Sequence, residues 1–141
     1  MAYLDTSVLV ACYVPEALSA KAQREAQRAE SLLVSTLTEV ELVSALSQKI
    51  RMGHLSRSDG QRVEALFQTH IQDGRFQIAS PSAKEFQLAR GWIAQYSTPL
   101  RTLDALHLAL AHSNQEILIT ADRSLADSAK VLGVKFRYVS T

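Results

Sequence analysis

The chain has 141 residues, 47% of them apolar and 21% charged, and fifteen Lys and Arg against fourteen Asp and Glu leave a net charge of +1. A chain of this length makes one domain with a real core, burying roughly 68–70% of its unfolded surface, and it is too apolar and too nearly neutral for disorder. Five Gly and three Pro exclude a collagen-like or linker composition, and a pI near 7.9 leaves any nucleic-acid surface to a local patch.

In chain order, short apolar runs alternate with longer amphipathic ones. Ala2–Leu4 reads as the first strand, followed by the longest unbroken apolar run, Val8–Val14. That run is far short of a membrane span of about 20 residues, so no membrane contact is expected. No basic residue precedes it and Asp5 stands just before it, so it is not a secretory signal. The single Cys12 cannot close an intrachain disulfide and reads as a small core or interface hydrophobe, in a reducing, cytoplasmic setting. Leu32–Ser35 is the second strand. Ser35 then caps a helix through Leu37, Val40, Val43, Leu46 and Ile50 that ends at Gly53. Ser56 and Asp59 form a capping-box pattern for a helix to about Asp73, stopped by Gly74. Arg75–Ala79 is the third strand, and Ser80-Pro81 opens a helix towards Tyr96. Trp92 and Tyr96, one turn apart there, read as core or interface. Thr102 caps Leu103–Ser113, Glu116–Thr120 is a strand buried on both faces, Gly133 ends a helix begun near Arg123, and Lys135–Val139 closes the chain. No linker or repeat interrupts this, so 1–141 reads as a single α/β domain. Three layers are expected, with a central, mostly parallel sheet of about five strands flanked by helices.

Ten of the fourteen acidic residues stand among polar neighbours and read as solvated surface. Asp5, Glu41, Asp104 and Asp122 do not. Asp5 and Asp122 follow strand ends, Glu41 lies mid-helix in an apolar run, and Asp104 opens the helix before the fourth strand. Burying an ionised carboxylate is costly unless it is paired or coordinated. In an open parallel sheet, ligands bind beyond the carboxyl ends of the strands, and Glu41, Ser44 and Gln48 share one helical stripe. The four acids can therefore meet in one acidic pocket with no basic residue required inside it. Four such charges invite a hard cation with oxygen ligands, Mg2+ first and Mn2+ as a substitute, and such an ion supports displacement at a phosphodiester. The histidines at 54, 70, 107 and 112 show no HExxH spacing, so zinc is not expected, and no Walker A or GxGxxG motif is present. Each acid also has a bland reading: helix caps for Asp5 and Asp122, a first-turn dipole residue for Asp104. Glu41 alone has no local partner. His107, one turn from Asp104, reads as a partner-bonded or edge histidine, while Arg101 and Arg123 read equally as phosphate contacts or surface ion pairs.

At these residues the sequence resembles the PIN-domain ribonucleases, above all the VapC-type toxins of bacterial toxin–antitoxin modules. The matching segments are Leu4-Asp5-Thr6-Ser7-Val8-Leu9, Ser35 with Glu41-Leu42-Val43-Ser44-Ala45-Leu46, Thr102 to Ala109, and Thr120-Ala121-Asp122-Arg123. The resemblance implies a PIN fold, a Mg2+-dependent endoribonuclease acting on structured RNA and leaving 3′-hydroxyl and 5′-phosphate ends, a homodimer, and inhibition by a cognate antitoxin. It makes Asp5, Glu41, Asp104 and Asp122 the catalytic, metal-holding tetrad, with Thr6 or Ser7 supporting Asp5 and Thr120 beside the fourth acid. Some relatives carry a further acid soon after the fourth, where this chain has Ser124 and Asp127. Two rivals stand beside this reading. An aspartyl-phosphate mechanism through Asp5 lacks the second acid two positions on, and a catalytically idle PIN-like module would only bind RNA or protein. Mutual repulsion in the pocket leads to two further expectations: metal-free stability falls between about pH 5 and 8, and Glu41→Gln raises the melting temperature. The all-round apolar helix Leu37–Leu46 is expected to find its neighbours in a dimer.

Overall fold

Alternate side chains of a strand point to opposite faces of the sheet, and in this protein both faces are apolar. The computed structural model describes residues 1–141 as β1 (Ala2–Leu4), α1 (Thr6–Tyr13), α2 (Ser19–Gln27), β2 (Leu32–Ser35), α3 (Thr36–Arg51) and α4 (Arg57–Gln72). These are followed by β3 (Phe76–Ala79), α5 (Ala83–Ile93), α6 (Thr102–Ser113), β4 (Ile117–Thr120), α7 (Arg123–Leu132) and β5 (Phe136–Tyr138). The five strands form one wholly parallel sheet in the order β3-β2-β1-β4-β5. Leu4, Leu32, Val34 and Ile119 pack on one face with Val8, Leu9, Leu42, Leu46 and Phe67. Tyr3, Leu33 and Leu118 pack on the other with Trp92, Leu106, Leu108, Leu110 and Leu125. This is the three-layer α/β arrangement the patterning predicts.

The topology also sets where chemistry can sit. The chain winds outward from β1 through β2 to β3, then returns to the opposite side of β1 to lay down β4 and β5. The winding direction therefore reverses between β1 and β4, and their carboxyl ends diverge to leave a crevice there.

Several boundaries differ from the sequence reading, for local reasons. The run after Asp5 is helix α1, and α2 follows where no helix was expected, because only Ala22 and Ala26 of its nine residues are buried. α5 starts at Ala83 with Ser82 at its N-cap, not at Pro81, and Ser82 Oγ donates to Glu85 at 3.1 Å. Glu85 is consequently buried, against the expectation that it is solvated surface. α5 ends at Ile93, so Tyr96 leaves the helix with φ of 54° and is 90% exposed, whereas Trp92 is core. Arg101, not Thr102, holds the N-cap position of α6. Gly133 stops α7 at φ of 72°, a left-handed turn that a Cβ would strain. The predicted all-round apolar helix has Val40 71% and Val43 43% exposed in the single chain. No helix is long and apolar enough to cross a membrane.

Candidate active site

Asp5 and Asp122 emerge from β1 and β4, the two strands that flank the reversal point. Asp5 occupies the N-cap position of α1, yet its side chain makes no cap bond. Its Oδ2 instead accepts from Ser7 Oγ at 2.8 Å and Thr120 Oγ1 at 2.6 Å, and the residue is buried. Asp122 does cap its helix: Oδ1 accepts from Leu125 N at 3.1 Å, while its own backbone N–H donates to Thr120 Oγ1 at 3.0 Å. Thr120 thus joins the first and fourth acids, and Ser7 ties the two loops together by accepting from Ala121 N at 3.1 Å. Of the two residues considered as support for Asp5, Ser7 does so and Thr6 does not.

Thr6 donates to Glu41 Oε1 at 2.8 Å. That oxygen also receives Nε2 of His107, a residue with no exposed surface whose Nδ1 meets Tyr3 Oη at 2.6 Å. His107 therefore belongs to the acidic cluster as a bonded partner of Glu41, and it is enclosed rather than free to reach a phosphate. The pocket read from sequence lacked this group and Tyr3. The available signal was a histidine in the otherwise apolar run Ala105–Ala111, where a buried polar ring needs partners. Asp104, in the first turn of α6, accepts no hydrogen bond from the protein and is half-buried.

Burial opposes the charge of both helix-borne acids, with opposite outcomes. Burial alone would raise the Glu41 carboxyl, but the hydrogen bond and charge of His107, joined by Thr6, outweigh it and hold it below its ordinary range. Burial pushes Asp104 up to about 6; the charges of Asp5 and Asp122 add to the rise, His107 pulls the other way, and Glu41 contributes least. Asp104 therefore feels the charges of the other three acids. No three of the molecule's Asp, Glu, His and Cys side chains draw together into a ready-made ion cage. The donor set nevertheless fits a hard cation that keeps several of its waters. All donors are carboxylate oxygens, and Asp5 Oδ1, Asp122 Oδ2 and Glu41 Oε2 have no protein partner.

The remaining candidates lie around this cluster. Arg101 and Arg123 are exposed, and the Arg123 guanidinium sits 5.6 Å from the centre of the Tyr138 ring. Asp127 is exposed and 4.0 Å from Arg123, and Ser124 is exposed beside it; neither is drawn to the acids. The acids line none of the main cavities. One of about 140 Å3 lies among Tyr13, Gln23, His70 and Arg75 instead. The four acids lie beyond the carboxyl ends of the central strands β1 and β4 and along the helices beside them.

A family model described as PIN domain matches residues 2–131. Among solved structures, the VapBC2 complex of Rickettsia felis bound to a promoter DNA fragment is similar at 16% identity, covering 99% of this chain and 100% of that one, with a TM-score of 0.71. VapBC-1 from nontypeable Haemophilus influenzae is 18% identical over 98% of both chains, TM-score 0.68. VapC20 of Mycobacterium tuberculosis, a toxin that cleaves the sarcin-ricin loop, is 14% identical over 91% of this chain and 95% of that one, TM-score 0.67. At these identities the likeness is one of fold. No curated protein matches the chain by sequence.

Proposed function

The chain belongs to the PIN-domain family, and from that premise we propose that it is a metal-dependent endoribonuclease, the toxin of a toxin–antitoxin pair. Asp5, Glu41, Asp104 and Asp122 act as an acidic tetrad that holds a divalent cation at the scissile RNA phosphodiester. The observation that carries this proposal is geometric: Asp5, Glu41 and Asp122 each have one carboxylate oxygen held by the protein and the other without a partner, and Asp104 accepts no hydrogen bond from the protein. Mg2+, for which Mn2+ can substitute, supplies Lewis-acid polarisation of the phosphate and activation of water when bound. The protein's contribution is to present oxygens without rearrangement. Asp5 is held by Ser7 and Thr120, Asp122 by its cap to α7, and Glu41 by Thr6 and His107, each through one oxygen with the other left free. Arg101 and Arg123, exposed beside the acids, contact the phosphates of the incoming strand. In-line displacement leaves 3′-hydroxyl and 5′-phosphate ends.

The wider setting follows from the same family. Similar structures are VapBC assemblies, which supports a cognate antitoxin as partner. Exposed Val40 and Val43 on α3 support a homodimer built over that helix. The chain acts in the cytoplasm, with 1–141 as one domain.

The test is cleavage of structured RNA by the purified protein with Mg2+ or chelator, beside Asp5→Asn. The amide keeps the shape and the bonds to Ser7 and Thr120 but lacks the charge that holds a cation, so cleavage is expected to fall by at least a hundredfold while the fold persists. An Asp5→Asn protein cleaving at the wild-type rate removes the tetrad. RNA binding by the wild type without cleavage in Mg2+ makes the protein an idle binding module.

A further inference from the structure

A buried polar chain stands behind Glu41. Tyr3, fully enclosed in the central strand β1, hydrogen-bonds Ser35 Oγ at 2.9 Å and His107 Nδ1 at 2.6 Å, its one hydroxyl hydrogen serving one of the two. His107, equally enclosed on α6, turns its other nitrogen to Glu41 Oε1. A carboxylate only accepts, so Nε2 carries the hydrogen, and the contact at Nδ1 fixes the ring in that orientation. Thr6 brings a second donor to the same oxygen. With Oε1 taken twice, Oε2 is left as the oxygen of Glu41 free for a cation.

Helix packing alone does not aim this side chain. α3 packs chiefly on α1, α4 and β2, and the residues flanking Glu41 on its outer side, Val40 and Ser44, are exposed. A glutamate has three rotatable side-chain bonds, and ordering it is entropically costly. The direct ties from Glu41 to the sheet end are the bonds to Thr6 and His107. His107 is in turn seated by Tyr3, only two residues before Asp5.

We infer that Tyr3 and His107 are positioning residues for the cation. They hold Glu41 with one oxygen committed and one presented, and so set divalent-metal affinity without touching the metal. This rests on the tetrad proposed above. Removing hydrogen-bond partners of metal ligands typically weakens metal binding by about ten- to a hundredfold, the scale expected for His107.

The experiment is calorimetric titration of Mn2+ into the full-length chain, with thermal melts reporting the fold. The proteins are wild type, Tyr3→Phe, His107→Gln, His107→Ala, Glu41→Gln and the double variant His107→Ala/Glu41→Gln. His107→Ala is expected to raise the Mn2+ dissociation constant about tenfold or more, and Tyr3→Phe to raise it less. His107→Gln, whose amide restores a donor towards Oε1, recovers part of the loss. In the Glu41→Gln background His107→Ala has no further effect, because its influence runs through that carboxylate; a merely structural role adds in full. Folded Tyr3→Phe and His107→Ala proteins that bind Mn2+ as wild type does, or full additivity with Glu41→Gln, overturn the inference. If His107→Ala does not fold, Tyr3→Phe and His107→Gln carry the same comparison. Should Glu41→Gln itself bind Mn2+ with wild-type affinity, the tetrad falls and the positioning role with it. If Glu41→Gln weakens binding while the Tyr3 and His107 variants do not, only the positioning role falls.

Discussion

Glu41 and Asp104 are both half-buried acids carried on helices to the same end of the sheet, and they respond in opposite ways. Glu41 receives Thr6 and His107 and is held below its ordinary pKa. Asp104 receives no donor, feels three carboxylates, and rises to about 6. Burial is the first influence on each. The supply of partners therefore decides which acid is held in its charged form and which takes up a proton more readily than a free carboxyl. The α3 side of the site is internally satisfied and the α6 side is left in deficit.

The largest effect that tests this contrast is metal addition. Mg2+ or Mn2+ at a hundred times its dissociation constant is expected to stabilise the chelated protein by about 2.7 kcal/mol, through binding to the folded state alone. Thermal melts with chelator and with each ion measure it. A melting temperature indifferent to both ions would show that the α6 side has no deficit to fill.

Next come substitutions of opposite sign. Glu41→Ala leaves the buried His107 Nε2–H unpaired and is expected to destabilise the metal-free protein by about 2 kcal/mol. Glu41→Gln, which keeps an acceptor but not the charge, costs about 1 kcal/mol. This reverses the sequence expectation that Glu41→Gln raises the melting temperature, because that expectation lacked His107. Asp104→Asn is the neutralisation that stabilises the metal-free protein. A rise from 3.8 to about 6, discounted for the solvent reaching this half-open group, corresponds to about 1 kcal/mol. Melts of both variants in chelator decide the matter; equal signs would erase the distinction between the two sides.

The smallest effect is the pH profile of metal-free stability. The folded pKa of Asp104 is raised, so its contribution is fully present below 3.8 and is lost as pH climbs through about 6. Glu41 is lowered from 4.5, so its contribution is present above that value and is lost as pH falls. The two oppose one another near pH 4, which leaves Asp104 alone to produce a decline between about pH 5 and 6 and none from this group beyond about 7. That window is narrower than the pH 5 to 8 expected from repulsion alone. Denaturant titrations across this range should show the decline in wild type and its absence in Asp104→Asn.

Much of the scaffold was legible because its signals are local. The strands Ala2–Leu4 and Leu32–Ser35 follow the predicted bounds, and Gly133 ends its helix in the turn that glycine favours. α2 was not legible, since two buried alanines in nine residues leave little periodicity to detect. The four acids stood out because each interrupts an apolar context or follows a strand, a property of neighbouring residues. Their partners did not stand out in the same way. Ser7 and Thr6 are adjacent and chemically alike; Ser7 turns back to Asp5 two residues away, and only the placement of α3 brings Thr6 to Glu41.

By itself, then, the sequence determined the alternation of strands and helices, the parallel sheet buried on both faces, and four carboxylates out of keeping with their surroundings. These are consequences of side-chain periodicity and of the cost of burying charge, both written in adjacent residues. The tertiary structure alone decided that Thr120 reaches Asp5, that Thr6 and His107 hold one oxygen of Glu41 with Tyr3 behind them, and that Asp104 is the acid left without a partner. The bonds responsible join residues 35, 66, 104 and 115 positions apart. Contacts at such separations arise only when the strand order brings β1 between β2 and β4, and no local pattern carries that information.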